Sequence, residues 1–257
     1  MNRSKCIRMR GILWVVAFVS LIGVEAVSAL DHVTIKSYSA GAFAAGWTQA
    51  VDTPNGILWY NSQTGAGAVG RIDSAGNHAT VKVYPAGAFA TGWSQTVDTP
   101  NGILWYNSRT GAGAVGRIDS AGNHTTVKVY PAGAFATGWT QTIDTPNGIL
   151  WYNSQTGAAA VGRIDSAGNH TTVKVYPAGA FATGWTQTLD TPNGILWYNS
   201  QTGAGAVGRI DSAGNHATVK VYPAGAFATG WTQTADTPNG ILWYNSQTGA
   251  GAVGRIM

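Results

Sequence analysis

The residues of this chain that could do chemistry recur five times at a fixed spacing. Trp47, Trp93, Trp139, Trp185 and Trp231 each follow a glycine, and Gln49, Gln95, Gln141, Gln187 and Gln233 stand two positions later. An ILWYN string then supplies Tyr60, Tyr106, Tyr152, Tyr198 and Tyr244, with Asn61, Asn107, Asn153, Asn199 and Asn245. A GRI string adds Arg71, Arg117, Arg163, Arg209 and Arg255. Together these types suit sugar recognition, because the apolar face of a sugar ring stacks on Trp or Tyr while its hydroxyls need amide or guanidinium partners. Side chains alternate faces along a strand. If Trp105 fills the core, Tyr106 therefore faces the groove on the other side, where Trp93, Gln95 and Arg117 could meet it.

Acid–base chemistry has less to work with. Beyond residue 30 there is no cysteine and no glutamate, and the aspartates fall almost entirely in DTP and RID strings, as Asp98 and Asp119 do. Two carboxylates acting together need differently tuned surroundings, and five equal copies give each acid the same surroundings five times. The sequence thus argues against an enzyme and offers no catalytic residue; the aspartates read as turn formers. His32, His78, His124, His170 and His216 have no second His, Cys or Glu at ligand spacing, so they are expected as strand-edge or surface residues rather than metal ligands. No cofactor is expected.

The first thirty residues stand apart from the repeat. Arg3, Lys5, Arg8 and Arg10 precede an apolar run from Ile12 to Val24, and Val27, Ser28 and Ala29 offer small residues for cleavage. This is the pattern of a secretory signal over residues 1–29, too short for a comfortable membrane span, with export and no membrane insertion after its removal. The remainder, residues 30–257, keeps eleven basic and ten acidic residues, so the formal charge falls from +4 to +1. A nearly neutral surface makes nucleic acid an unexpected partner. The single cysteine, Cys6, lies in the basic segment, so stability must come from packing and backbone pairing rather than disulfides.

One copy, residues 78–123, shows the elements that must position these side chains. Runs rich in β-branched and aromatic residues span Thr80 to Tyr84, Trp93 to Val97, Ile103 to Asn107 and Ala114 to Asp119. Turn chemistry separates them. Pro100 suits the second position of a type I turn, and Asn101 and Gly102 follow it; SRTGAG and DSAGN supply corners that tolerate left-handed backbone. No window carries apolar residues at helical spacing. Each copy is therefore a four-stranded antiparallel meander, and a unit of this size must bury its apolar face on its neighbours.

Such units can form an open solenoid or a closed propeller. A solenoid wants polar capping repeats, and neither end has one. The long PAGAFATG link is what a chain needs to pass from the outer edge of one blade to the inner edge of the next. The expected fold is all-β: a five-bladed β-propeller of four-stranded antiparallel blades, with Trp47 to Tyr84 as the first. The fifth blade, from Trp231 to Ile256, would be completed by the N-terminal strand, His32 to Tyr38, which hides two sheet edges.

The strings GWTQAVDTPNGILWY, GWSQTVDTPNGILWY, GWTQTIDTPNGILWY, GWTQTLDTPNGILWY and GWTQTADTPNGILWY resemble the tachylectin family of lectins. The resemblance is carried by Gly-Trp, the Gln two residues on, Asp, Asn-Gly and the aromatic strand, and extends over the repeats in period and copy number. It implies a five-bladed propeller that binds N-acetylated sugars, typically N-acetylglucosamine, once per blade. On that basis the chain is expected to be a secreted, monomeric, multivalent carbohydrate-binding protein with five equivalent sites. The alternative is a structural or adhesive module that binds protein partners through its faces.

Overall fold

The computed structural model describes residues 43–256 except 238, 239, 246 and 249. The first blade contains β1 (Gln49–Thr53), β2 (Gly56–Tyr60), β3 (Gly67–Ile72) and β4 (His78–Tyr84), paired antiparallel in that order. The second repeats it with β5 (Gln95–Thr99), β6 (Gly102–Tyr106), β7 (Gly113–Ile118) and β8 (His124–Tyr130). The third is β9 (Gln141–Thr145), β10 (Gly148–Tyr152), β11 (Ala159–Ile164) and β12 (His170–Tyr176), and the fourth is β13 (Gln187–Thr191), β14 (Gly194–Tyr198), β15 (Gly205–Ile210) and β16 (His216–Tyr222). The fifth shows three strands, β17 (Gln233–Thr237), β18 (Gly240–Tyr244) and β19 (Gly251–Gly254). The chain is thus an all-β five-bladed propeller. The signal segment 1–29 and the strand proposed to complete the last blade, 32–38, lie outside the described residues.

Local chemistry sets the turns. In the second blade Thr99 pairs with Gly102 across a two-residue loop. The Thr99 hydroxyl donates to Gly102 O at 2.7 Å and accepts from the Asn101 N–H at 3.3 Å. Gly102 adopts φ +130°, and an added Cβ would lie 2.5 Å from Gly116 O, so no other residue fits this corner. Each outer pair carries a register shift, between Val115 and Gly116 in this blade, which increases local twist.

The blades are joined by aromatic wedges, each centred on a phenylalanine that the sequence had not singled out. Phe89, in the link between the first and second blades, lies 6.1 Å from Tyr60 and 4.9 Å from Tyr84 of the first. It also lies 6.1 Å from Trp105 and 5.0 Å from His124 of the second. Phe135 and Phe181 occupy the same place at the next two interfaces. The link therefore does more than carry the chain from blade to blade, since its phenylalanine plugs the gap between two sheets. The histidines head the outer edge strands, as expected, but not at the surface: His124 stands edge-on to Trp105 at 5.0 Å, half-buried in the wedge. Gly116 makes room for that pair, because a Cβ there would meet His124 Nε2 at 2.3 Å.

Hydrogen bonds then lock neighbour to neighbour. Asn55 Nδ2 donates to Ile118 O at 2.7 Å, Arg71 to Ser120 O at 2.5 Å, and Lys82 Nζ to Asn123 Oδ1 at 2.8 Å. The Tyr84 hydroxyl donates to Gly122 O at 2.5 Å and accepts from the His124 N–H at 2.6 Å.

Emptying a wedge removes both buried area and ring contacts. Phe135→Ala is expected to cost about 3–5 kcal/mol in urea unfolding. The exposed Val129→Ala should cost under about 0.5 kcal/mol.

Candidate functional site

The five inner strands, β1, β5, β9, β13 and β17, stand side by side around a central channel. Val97, Ile143 and Leu189 pack into the inter-blade cores. By alternation the threonine before and the aspartate after each of them point the other way, into the channel. Thr96, Thr142, Thr188 and Thr234 form one tier, with Ala50 in the first copy; Asp52, Asp98, Asp144, Asp190 and Asp236 form the next.

The channel has two unlike ends. One opens into a mouth of about 470 Å³ lined by Gln49, Gln95, Gln141, Gln187 and Gln233 with the threonines. The other is ringed by the Pro-Asn-Gly turns. There, shallow grooves lie between successive turns, one of about 130 Å³ lined by Thr53, Pro54, Asn55, Asp98, Arg117 and neighbours. A second, of about 140 Å³, is built from Pro146, Asn147, Asp190 and Arg209.

The aspartate tier is electrostatically frustrated. Burial first, then the neighbouring Asp190 and Asp98, push the Asp144 carboxyl up to about 7. Asp98 and Asp190 rise to about 6, again by burial and then by Asp52 and Asp236 respectively. Carboxylates that repel one another in this way release their protons in turn, so Asp98, Asp144 and Asp190 titrate in stages. The solvent-facing Asp119, Asp165 and Asp211 behave oppositely. Amide and backbone donors of Asn123, Asn169 and Asn215 hold them below the usual carboxylate range.

The expected sugar-binding residues are placed apart rather than gathered in one groove. Tyr60, Tyr106, Tyr152 and Tyr198 are about 1% exposed or less and do not face a groove. Their hydroxyls donate to Ala90, Ala136, Ala182 and Ala228 carbonyls at 2.6–2.7 Å. Burial pushes the Tyr106 and Tyr152 phenols up to about 12, so they remain donors. Gln49, Gln95, Gln141 and Gln187 reach across the blade boundary, each donating Nε2 to the carbonyl of the next Trp, Trp93, Trp139, Trp185 or Trp231.

Asn61, Asn107, Asn153, Asn199 and Asn245 cap their own loops. Asn107, for example, donates to Gly92 O and accepts from the Arg109 and Thr110 N–H groups. The tryptophans of the Gly-Trp pairs are half-buried at the blade boundaries. Arg71, Arg117, Arg163 and Arg209 lie at the opposite end of the repeat, donating Nε to Asn55, Asn101, Asn147 and Asn193 carbonyls. Of this set only the arginines line the Pro-Asn-Gly grooves, and there they meet aspartates that sequence reasoning had assigned to turns. The signal that could have found those acids was their position three residues after each inner-strand glutamine.

Fold and channel together define a single-chain β-propeller with an axial acid tier. The chain belongs to the virginiamycin B lyase family, whose model matches residues 13–257. That membership overturns the expectation that the chain is not an enzyme. The expectation also fails physically, since equal sequence surroundings do not give equal protonation once the acids feel one another.

Among solved structures, the chain is similar to a protein from Lactobacillus plantarum at 11% identity and TM-score 0.57, covering 84% of this chain and 86% of that one. A candidate 6-phosphogluconolactonase from Bacteroides fragilis aligns at 15% identity and TM-score 0.46, over 79% and 67% of the two chains. A chain of the nidogen/laminin complex aligns at 10% identity and TM-score 0.44, over 77% and 72%. No curated protein matches. These likenesses concern the fold.

The raised carboxyls make stability depend on pH. Between about pH 4 and about pH 7 the three raised carboxyls retain protons that the unfolded chain has released, so their contribution falls as pH rises, outweighing the smaller opposite contribution of His124, His170 and His216, whose pKa values burial lowers. The loop aspartates act below it, losing their contribution as pH drops under about 4. A melting temperature lower at about pH 7.5 than at about pH 5 is expected, by about 2–4 °C for each kcal/mol involved. Asp144→Asn should flatten the slope; a wild-type profile already flat across this window would count against the coupled tier.

Proposed function

We propose that the chain acts as a lyase-type enzyme whose acid–base groups are the channel aspartates. The observation that supports this reading is the adjacency of Asp98, Asp144 and Asp190, with carboxyls pushed up to about 6, 7 and 6. Elimination needs a base to take a proton from carbon and an acid to protonate the departing group. Near neutral pH a partly protonated tier holds both, and catalytic groups work best with pKa values close to the working pH.

The grooves at the Pro-Asn-Gly end give access to Asp98 and Asp190. Arg117 and Arg209 at their walls have N–H groups to spare for a substrate oxygen. In this reading the protein is exported and works as a monomer. Virginiamycin B is the first substrate to assay, because the family takes its name from it. Turnover is expected to fall about 10²–10⁴-fold in the triple variant Asp98→Asn, Asp144→Asn, Asp190→Asn. Unchanged turnover in that variant would remove the reading.

A second reading, multivalent binding of N-acetylated sugars such as N-acetylglucosamine, is favoured by the recurrence of the same groove. Carboxylate, amide, guanidinium and a proline ring meet there in the first and third interfaces alike. Several modest sites on one disc gain avidity on a glycan surface without any new contact. Calorimetry should then give several equivalent sites per chain, one fewer after Arg117→Ala. A single site, or none across a broad glycan array, would exclude it.

A further inference from the structure

Four of the blade interfaces are alike, and the seam between the fifth and first blades differs from them. Tyr198 and Val207, on the fourth blade where it meets the fifth, are each 1% exposed. Their copies on the fifth blade, Tyr244 and Val253, are 37% and 39% exposed. On the first blade Ile72 is 52% exposed, against 6% for its copies Ile118, Ile164 and Ile210. Two apolar faces that are covered at every other interface therefore stand in water at this one.

The latches are lost together with the burial. At the fourth interface Gln187 donates to Trp231 O at 2.6 Å and the Tyr198 hydroxyl donates to Ala228 O at 2.7 Å. One repeat further round the ring, the same pairs are Gln233 with Trp47 and Tyr244 with Ala44. All four residues are among the described residues, and neither bond is made between them. The Tyr198 ring also stands edge-on to Trp243 at 4.9 Å, a contact that Tyr244 does not make with Trp59.

Topology explains why this seam is the one that parts. Each of the other seams is spanned by a continuous link, such as 85–92 between β4 and β5, which keeps the facing surfaces at high effective concentration. β1 precedes β19 in the chain, so no link runs from the fifth blade into the first. Both end faces still carry the residues of their buried copies, and the interior interfaces show what covers each: a face like the other.

We propose that the seam between the fifth and first blades is a gate, whose two faces part as they do here and mate in the interior pattern, with Gln233 on Trp47 O and Tyr244 on Ala44 O. Parting opens the channel from the side. Asp52 and Asp236, the tier acids that flank the seam, are exposed, whereas Asp98, Asp144 and Asp190 are half-buried. Mating would set Asp236 beside Asp52 and complete the tier. The gate concerns how the blades assemble, so it stands or falls separately from the reaction proposed for the channel.

Residues 30–257 contain no cysteine, so single thiols can report on each face. In the full chain carrying Cys6→Ser, Val253→Cys and Ile72→Cys place one thiol on either side of the seam. Val207→Cys and Ile118→Cys mark their buried copies, and Val129→Cys marks an open surface. Labelling by a small disulfide reagent should be slowed at Val253→Cys and Ile72→Cys by one common factor, at least tenfold below Val129→Cys. Both should still label at least tenfold faster than the buried copies, at rates independent of protein concentration. Tyr244→Phe, which removes one latch, should speed labelling of Ile72→Cys about fivefold and leave Val129→Cys unchanged. Rates equal to that of Val129→Cys would mean faces that never mate, and rates equal to the buried copies would mean faces that never part. Unlike factors on the two sides, or rates that fall as the protein is concentrated, would mean separate motions or a second copy on the face. Each of these outcomes overturns the proposal. Either side of the seam, compared with its own buried copy, decides it if a variant on the other side fails to fold.

Discussion

The contact on which the rest of this molecule depends is the phenylalanine driven between two blades. Each blade alone is a small twisted sheet with an apolar face and nothing to cover it. Phe89 covers both sides at once, touching Tyr60 and Tyr84 behind it and Trp105 and His124 ahead. It fixes how closely neighbouring blades approach, and hence how closely five inner strands crowd the axis. Within a blade, the tight turn at Gly102 and the bare backbone at Gly116 keep the sheet compact, since a side chain at Gly102 would strike Gly116 O and one at Gly116 would strike the His124 and Trp105 rings.

Crowding at the axis produces the acid tier. In an extended strand on a wide surface, Asp144 would be an ordinary carboxylate. Held between Asp98 and Asp190 and partly removed from water, it keeps its proton to about neutrality. Packing geometry thus converts a repeated turn-flanking residue into a group able to exchange protons under physiological conditions.

Much of the fold was legible in the chain. Period, turn strings and the absence of helical spacing gave the antiparallel strand order, the blade boundaries and the five-bladed propeller class, and the first blade's limits match the sheet from β1 to β4, while the strand drawn to complete the fifth blade lies outside the described residues. The site was less legible, for definite reasons. Tyr106 looks like a stacking residue in one dimension, but its hydroxyl reaches Ala136 O in the following link, thirty residues on, and no local pattern announces that. The Gln95 amide is likewise taken up by the carbonyl of Trp139 in the next blade. Asp98 was passed over because a repeated string conceals mutual repulsion: each copy looks innocuous until the ring sets it beside its own duplicates.

The side-chain latches between blades share a direction. Gln49, Asn55, Arg71, Lys82 and Tyr84 all donate forward, to backbone or side-chain oxygens of the repeat that follows. Side-chain donors thus point one way around the blades, with the Tyr84 hydroxyl alone among them also taking a bond back, from the His124 N–H. Any unit presents the same hooks ahead and the same eyes behind, so units are interchangeable, and the gain or loss of a whole module leaves every remaining seam correctly mated.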